Sequence, residues 1–263
     1  MELEGLLYES KDGIARITIN RPEKLNALTP GTIHSLLSAF EAAEVDPDVG
    51  VVVISGKGGK AFCAGGDIGD FGKSNPRKAL PLARTAVKLA DCMRNNGKVI
   101  IAAIDGYAMG FGCELICFCD MAIATEGSSL AITELKVGSG GSFGGTQMFP
   151  RLMGEKKARE AIFLAKKIEA EEAERIGLIN KVVPKDKLEE EVNDWCKRIL
   201  EMSPQSIRVA KTSLNFESDL MHTSIVHGVM MWTFLHGSEE WQEGMDAFLE
   251  KRKPDFGKFR KEE

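Results

Sequence analysis

Two glutamates in this chain stand among apolar residues. Glu114 falls within Cys113-Glu114-Leu115-Ile116-Cys117-Phe118, and Glu134 follows Leu130-Ala131-Ile132 and precedes Leu135. A carboxylate in such company is costly to bury without partners. Two carboxyl groups on one pocket can divide acid and base work, because their surroundings push their pKa values apart. Adding water across a double bond needs both roles. Two small-residue turns accompany them, Cys63-Ala64-Gly65-Gly66-Asp67 and Gly110-Phe111-Gly112. Helix starts carry free N–H groups. Two such groups aimed at one oxygen would stabilise charge developing on a carbonyl, as in an oxyanion hole. The small side chains establish only that close approach is open. The same residues fit a plainer reading too, with Glu114 a carboxylate favoured by a helix N-terminus and Glu134 a surface loop residue.

The elements that must hold these residues alternate. Ile14 to Ile19 alternates apolar and polar and reads as a strand. Thr29 is a candidate N-cap with Pro30 at the first position of a helix reaching Glu44. Val51 to Ile54 is an apolar, β-branched run, which fits a strand buried on both faces. Pro76 to Asn96 is helical in pattern, Val99 to Ile104 is another apolar strand, and Cys113 to Cys119 reads as a buried helix. Met121 to Ala124 and Leu178 to Val183 add strands. Strands alternating with helices predict an α/β core. Ser139 to Gly145 reads as a polar, flexible loop, and from Lys187 the chain is helix upon helix to a basic tail at Lys251-Arg252-Lys253.

Composition bounds the rest. With 263 residues the chain can bury a real core. A net charge of −5 without a long basic run argues against nucleic-acid binding. No apolar run reaches the ~18 residues of a membrane span, and the acidic start lacks the apolar stretch of a secretory leader. Six cysteines are too sparse for a disulfide scaffold and fit a reducing cytoplasm.

The residues resemble those of the crotonase family, the enoyl-CoA hydratase/isomerase superfamily. The likeness is carried by six stretches in order: Asn20 to Leu28, Lys60 to Ile68, Val99 to Gly110 with Cys113-Glu114-Leu115, Gly144 to Gln147, Ala173 to Ile179 and Ala247 to Lys253. It implies an α/β spiral of ββα repeats over residues 1–195, holding the CoA-binding and catalytic site. It also implies a helical trimerisation region over 196–263, with trimers pairing into hexamers. By the same resemblance the oxyanion donors are the main-chain N–H groups of Gly66 and Phe111. Lys24, Leu25, Ala64, Asp67 and Ile68 line the CoA path, and Phe248 and Lys251 reach the nucleotide. Hydratases of the family carry two glutamates twenty positions apart, as Glu114 and Glu134 are here. Glu134 then takes the larger acid/base role and Glu114 orients and activates the water, giving syn addition to a 2,3-trans-enoyl-CoA. Coenzyme A is part of the substrate, so no separate cofactor is implied.

Three positions depart from the family pattern. Phe111 stands where glycine is common, Gly141-Ser142 replaces Pro-Gly, and Met148 replaces an arginine. The first two lie near the expected acyl pocket and predict a branched, cyclic or heteroatom-bearing acyl group. Isomerases usually lack the carboxylate at 114. The tail from Lys251 to Gly257 resembles that of naphthoate synthases, but those have glycine at the 134 position and aspartate near 141. A C–C hydrolase acting on a cyclic β-keto acyl-CoA is the nearer rival, and a scaffold without activity would be expected to lack the glutamate pair.

The remaining notable residues read as structural. Cys113, Cys117 and Cys119 lack zinc-site spacing and are expected as buried core thiols. His34, His222, His227 and His236 are expected at surfaces or interfaces, with no metal. Trp232 and Phe234, with Met230 and Met231, are expected to pack subunits together; a lesser alternative has Trp232 lining a neighbouring chain's acyl pocket.

Overall fold

A computed structural model describes residues 3–71, 74–141, 143–219 and 222–261. The chain opens with a hairpin, β1 (Leu6–Lys11) and β2 (Ile14–Ile19), followed by helix α1 (Pro30–Val45). Thr29 caps α1: its Oγ1 accepts the Thr32 N–H at 3.0 Å, a bond of the kind worth about 1 kcal/mol. The next turn holds β3 (Val51–Gly56), β4 (Ala61–Cys63), the short α2 (Ile68–Phe71) and α3 (Pro76–Asn95). A third has β5 (Val99–Ile104), β6 (Tyr107–Met109) and α4 (Phe111–Ile116). A fourth has β7 (Met121–Thr125), β8 (Ser129–Ala131), a 3-10 turn (Glu134–Val137), α5 (Gly145–Met153) and α6 (Glu155–Phe163). The spiral closes through β9 (Ile168–Glu169), α7 (Ala170–Arg175) and β10 (Lys181–Val183).

Each turn from the second to the fourth sends its first strand into one sheet and its second into another. The large sheet runs β1-β2-β3-β5-β7-β10 and the small one β4-β6-β8-β9. Apart from the opening hairpin and the β8/β9 edge, all pairings are parallel. Parallel strands covered on both faces need apolar residues throughout, which explains the unbroken Val51-Val52-Val53-Ile54 run. Val52 and Ile54 pack into the main core with Phe40, Leu89 and Phe62. Val51 and Val53 face the other way, against Ile101, Ile123, Val192 and Cys196. The last two belong to α8 (Leu188–Leu200), which covers the back of the large sheet. The division expected at 195/196 therefore falls within one helix.

Three further helices, α9 (Pro204–Asp219), α10 (His222–Leu235) and α11 (Glu239–Leu249), complete the chain. They fold back on their own spiral. Lys211 of α9 is buried. Its Nζ donates to Asp120 Oδ2 at 2.7 Å, Lys98 O at 3.0 Å and Met93 O at 3.3 Å, so the cation is fully partnered, as burial demands. Helix α10 lies along α3, and α11 against the 3-10 turn that begins at Glu134. Cys113 and Cys117 are buried and Cys119 is partly so, all three as free thiols. His236 departs from its expected place at a surface or interface: it is 2% exposed. The reason is its neighbours, since its ring stacks on that of Trp241 at 4.0 Å and sits edge-on to Trp232 at 4.2 Å.

Candidate active site

The small sheet gathers the site. Strands β4, β6 and β8 are parallel neighbours, and such strands lie about 4.8 Å apart, so the segments leaving them arrive side by side. Gly66 follows β4, Phe111 and Glu114 follow β6, and Glu134 follows β8. None of these three strands is longer than three residues.

A latch from the first turn fixes the β4 loop. Leu25 and Asn26 both have positive φ, 50° and 60°. That conformation turns the buried Asn26 amide inward to donate to Lys57 O at 2.9 Å and Ala61 O at 2.7 Å. The chain then runs beside residues 64–67: Ala64 N–H donates to Leu25 O at 3.0 Å, Leu28 N–H to Gly65 O at 2.8 Å, and Asp67 N–H to Leu28 O at 2.8 Å. Arg21 adds an ion pair to Asp67 at 3.0 Å. Gly66 and Phe111 keep N–H groups that find no acceptor among the described residues. Phe111 is the first residue of α4, where an unpaired N–H is inherent. The two loops touch, since a Cβ on Gly65 would lie 3.7 Å from Phe111 N. The bend into α4 requires Gly110, at φ 53° and ψ −127°, a region closed to residues with a side chain. A Cβ there would also meet Glu134 Oε1 at 2.6 Å.

Both glutamates reach the same cavity of about 700 Å³. Glu114 is 2% exposed, and its Oε1 accepts the Gly145 N–H at 2.9 Å, at the start of α5. It therefore serves a different helix start from its own. Burial above all, then the charge of Glu134, raises its pKa well above the usual carboxylate range; the amides of Gly145 and Phe143 act against this. Glu134 is half-buried, and its Oε2 is shut off from solvent with no hydrogen-bond partner among the described residues. Burial pushes its pKa up to about 7, opposed by its own main-chain amide and that of Thr133. Burial acts on both carboxyls, and the charge of Glu134 acts on Glu114 as well, so each binds its proton more tightly than a free carboxyl.

Lys24, Leu25, Ala64, Gly66, Asp67, Ile68, Phe111 and Phe248 line this cavity with the two glutamates, and Lys251 does not. Lys251 ends an exposed turn after α11. The Phe111 ring packs edge-on against Phe143, with centroids 4.0 Å apart and planes at 80°, so it forms cavity wall while its amide stays free. At Gly141 a Cβ would meet Ile132 Cγ2 at 2.4 Å, leaving no space for a side chain. Ser142 lies outside the described residues. Met148 is buried within α5.

The structure adds residues that the sequence reading assigned elsewhere. Trp232 lines the cavity of its own chain, together with Val229, Trp241 and Met245. It turns inward because its Nε1 donates to Ser139 Oγ at 3.0 Å. This replaces the expectation that it packs against another subunit. The signal for α11 lay in the spacing of Trp241, Met245 and Phe248, one apolar helix face. Among the described residues no three His, Cys, Asp or Glu side chains are grouped to hold a metal ion, and no helix is long and apolar enough to cross a membrane.

A two-sheet ββα spiral with paired free amides and paired carboxyls over one cavity defines a recognisable class. Residues 9–259 match the enoyl-CoA hydratase/isomerase family, and the chain belongs to it. Among solved structures it is similar to an enoyl-CoA hydratase from Mycobacterium avium subsp. paratuberculosis, at 26% identity and TM-score 0.89, covering 97% of this chain and 99% of that one. An enoyl-CoA hydratase/isomerase from Xanthobacter autotrophicus is 30% identical with TM-score 0.87, over 95% and 94% of the two chains. Pseudomonas aeruginosa DspI is 32% identical with TM-score 0.80, over 97% and 98%.

Proposed function

We propose that the protein is an enoyl-CoA hydratase, adding water across the 2,3-trans double bond of an acyl-CoA thioester. The observation that carries this reading is the meeting of Glu114 and Glu134 on one cavity beside the unpaired amides of Gly66 and Phe111. The thioester oxygen accepts both N–H groups. As the water oxygen bonds to C3, the π electrons move toward C2 and the thioester oxygen, and the amides stabilise the enolate. With one proton on the pair, the ionised carboxylate takes a proton from water and the protonated one serves C2. Glu134 carries the larger share of proton transfer, and Glu114, oriented by the Gly145 amide, holds the water. Lys24, Leu25, Ala64, Asp67, Ile68 and Phe248 form the CoA path, with Lys251 at the nucleotide end. The reaction needs no separate cofactor.

The aromatic wall of Phe111 and Phe143 supports a branched, cyclic or heteroatom-bearing acyl group over crotonyl. The exposed Val209, Leu214, Phe216 and Phe234 on α9 and α10 support assembly into trimers or hexamers, and we place the enzyme in the cytoplasm. The test follows loss of enoyl-thioester absorbance with crotonyl-CoA and a panel of branched and alicyclic enoyl-CoAs. Turnover of at least one is expected, and none at all would overturn the assignment. Preference for crotonyl-CoA would remove the bulky-acyl reading alone.

A further inference from the structure

The carboxyl group of Glu134 is aimed by its backbone. Its Oε2 has no hydrogen-bond partner among the described residues, so no side chain ties it, and the nearby amides of Thr133 and of Glu134 itself belong to the turn that carries it. Whatever fixes the 3-10 turn therefore fixes the carboxyl. The turn is held from below by the last helices of the same chain. Ser139 N–H donates to Glu134 O at 2.9 Å, and Ser139 Oγ accepts from Trp232 Nε1 of α10 at 3.0 Å. The indole is itself held by several neighbours. Phe71 and Trp241 contact it edge-on at 6.3 and 6.4 Å, His236 does so at 4.2 Å, and His236 Nδ1 bonds Trp232 O at 3.2 Å. Helix α11 meets the turn backbone to backbone: a Cβ on Gly244 would lie 2.3 Å from Val137 C, and one on Gly138 2.6 Å from Glu240 O.

We propose that Trp232 is a positioning residue for Glu134, acting through the hydroxyl of Ser139. This rests on the hydratase reading for its kinetic consequence, though not for its geometry. The indole N–H holds the hydroxyl, the Ser139 N–H holds the Glu134 carbonyl together with the Gly138 N–H, and the glycine contact stops the turn from sliding along α11. Without the Trp232 bond the turn loosens toward the cavity, and Glu134 gains water and loses aim. A misplacement of about 1 Å at a reacting group can cost on the order of 100-fold in rate.

The test uses the full chain with Trp232→Phe, Ser139→Ala, both together, Ser139→Thr, and Trp195→Phe as a control. Trp195 bonds Glu191 within α8, away from the cavity. The two single variants should each lower kcat by roughly 10- to 100-fold while KM for the enoyl-CoA changes less than about twofold. The double variant should be no worse than either single one, the signature of a shared bond. Ser139→Thr should retain most of the rate, and Trp195→Phe all of it. Independently of turnover, the Glu134 carboxyl is followed by carbon NMR on glutamate-labelled protein, with Glu134→Gln giving the assignment. Its titration should move to lower pH in Trp232→Phe and Ser139→Ala, as water reaches it. A wild type inactive on every enoyl-CoA would sink the hydratase reading alone, since the titration still reads the positioning. An unmoved titration in both single variants, or kcat within twofold of wild type in an active enzyme, overturns the positioning role.

Discussion

Replacing Glu134 with glutamine changes one charge and almost no volume, so its consequences can be worked from the site. The other ionisable groups on the cavity are otherwise committed or peripheral. Asp67 pairs with Arg21, Lys24 and Lys136 are exposed, and Glu114 is tied to the Gly145 amide. Glu114 already has its own part in the proposed proton transfers, so no neighbour stands ready to take over the one that Glu134 performs. A positioned acid/base group contributes roughly 10²–10⁴-fold, or about 2.7–5.4 kcal/mol of barrier, and the lack of a substitute argues for the upper half of that range. Binding should persist, because the two amides and the CoA path are untouched. The assay pairs stopped-flow loss of enoyl absorbance with calorimetric titration of a saturated acyl-CoA, which binds and cannot react. We expect kcat to fall about 1,000-fold or more with the calorimetric Kd within about threefold. Turnover within threefold of wild type would refute the reasoning, and so would loss of binding equal to the loss of rate.

Four further outcomes follow from the same geometry. The profile of kcat/KM should rise with pH through about 7 as Glu134 ionises and fall again at higher pH as Glu114 loses its proton; a flat profile from pH 5 to 9 would contradict a shared proton. Both carboxyls are raised in the folded state, so between the ordinary carboxylate range and about pH 7 the native protein binds more protons than the unfolded chain. Stability should therefore fall as pH rises through that window, by at most about 1.4 kcal/mol per pH unit for each group, and the Glu134→Gln variant should show a shallower fall in Tm. Gly110→Ala should lower kcat by about 100-fold or more, since its Cβ would press on Glu134 Oε1, with circular dichroism confirming a folded chain. Lys211→Met removes the cation from Asp120, whose side chain is 24% exposed, and takes the Nζ donor from Lys98 O and Met93 O; it should lower unfolding stability by on the order of 2 kcal/mol, read by urea titration, with kcat unchanged below the transition.

How far the sequence could be read depended on the length scale of each feature. The capped α1, the doubly buried β3 and β5, and the long α3 were legible because periodicity and caps act within a few residues. Strands β4, β6 and β8 were not, since three residues carry no readable period and their pairing is decided by the turns stacked beside them. These are also the strands that bring the chemistry together. The two glutamates were visible as misfits in apolar stretches, but their meeting on one cavity depends on neighbouring turns of the spiral. The amides of Gly66 and Phe111 have no side-chain signature at all. Trp232 misled because an apolar residue on a late helix fits a subunit contact as well as an inward wall. Only the hydroxyl of Ser139, 93 positions away, decides between them.

The β4-β6-β8 row has an evolutionary corollary. Each winding of the chain delivers one part of the candidate site: the first amide after β4, the second amide with one acid after β6, and the other acid after β8. In the reaction proposed above, a change confined to the segment after β8 would redirect the fate of the enolate while the two amides stay in place for the thioester. Under that proposal, new reactions could be tried one winding at a time without first losing the hold on the coenzyme ester.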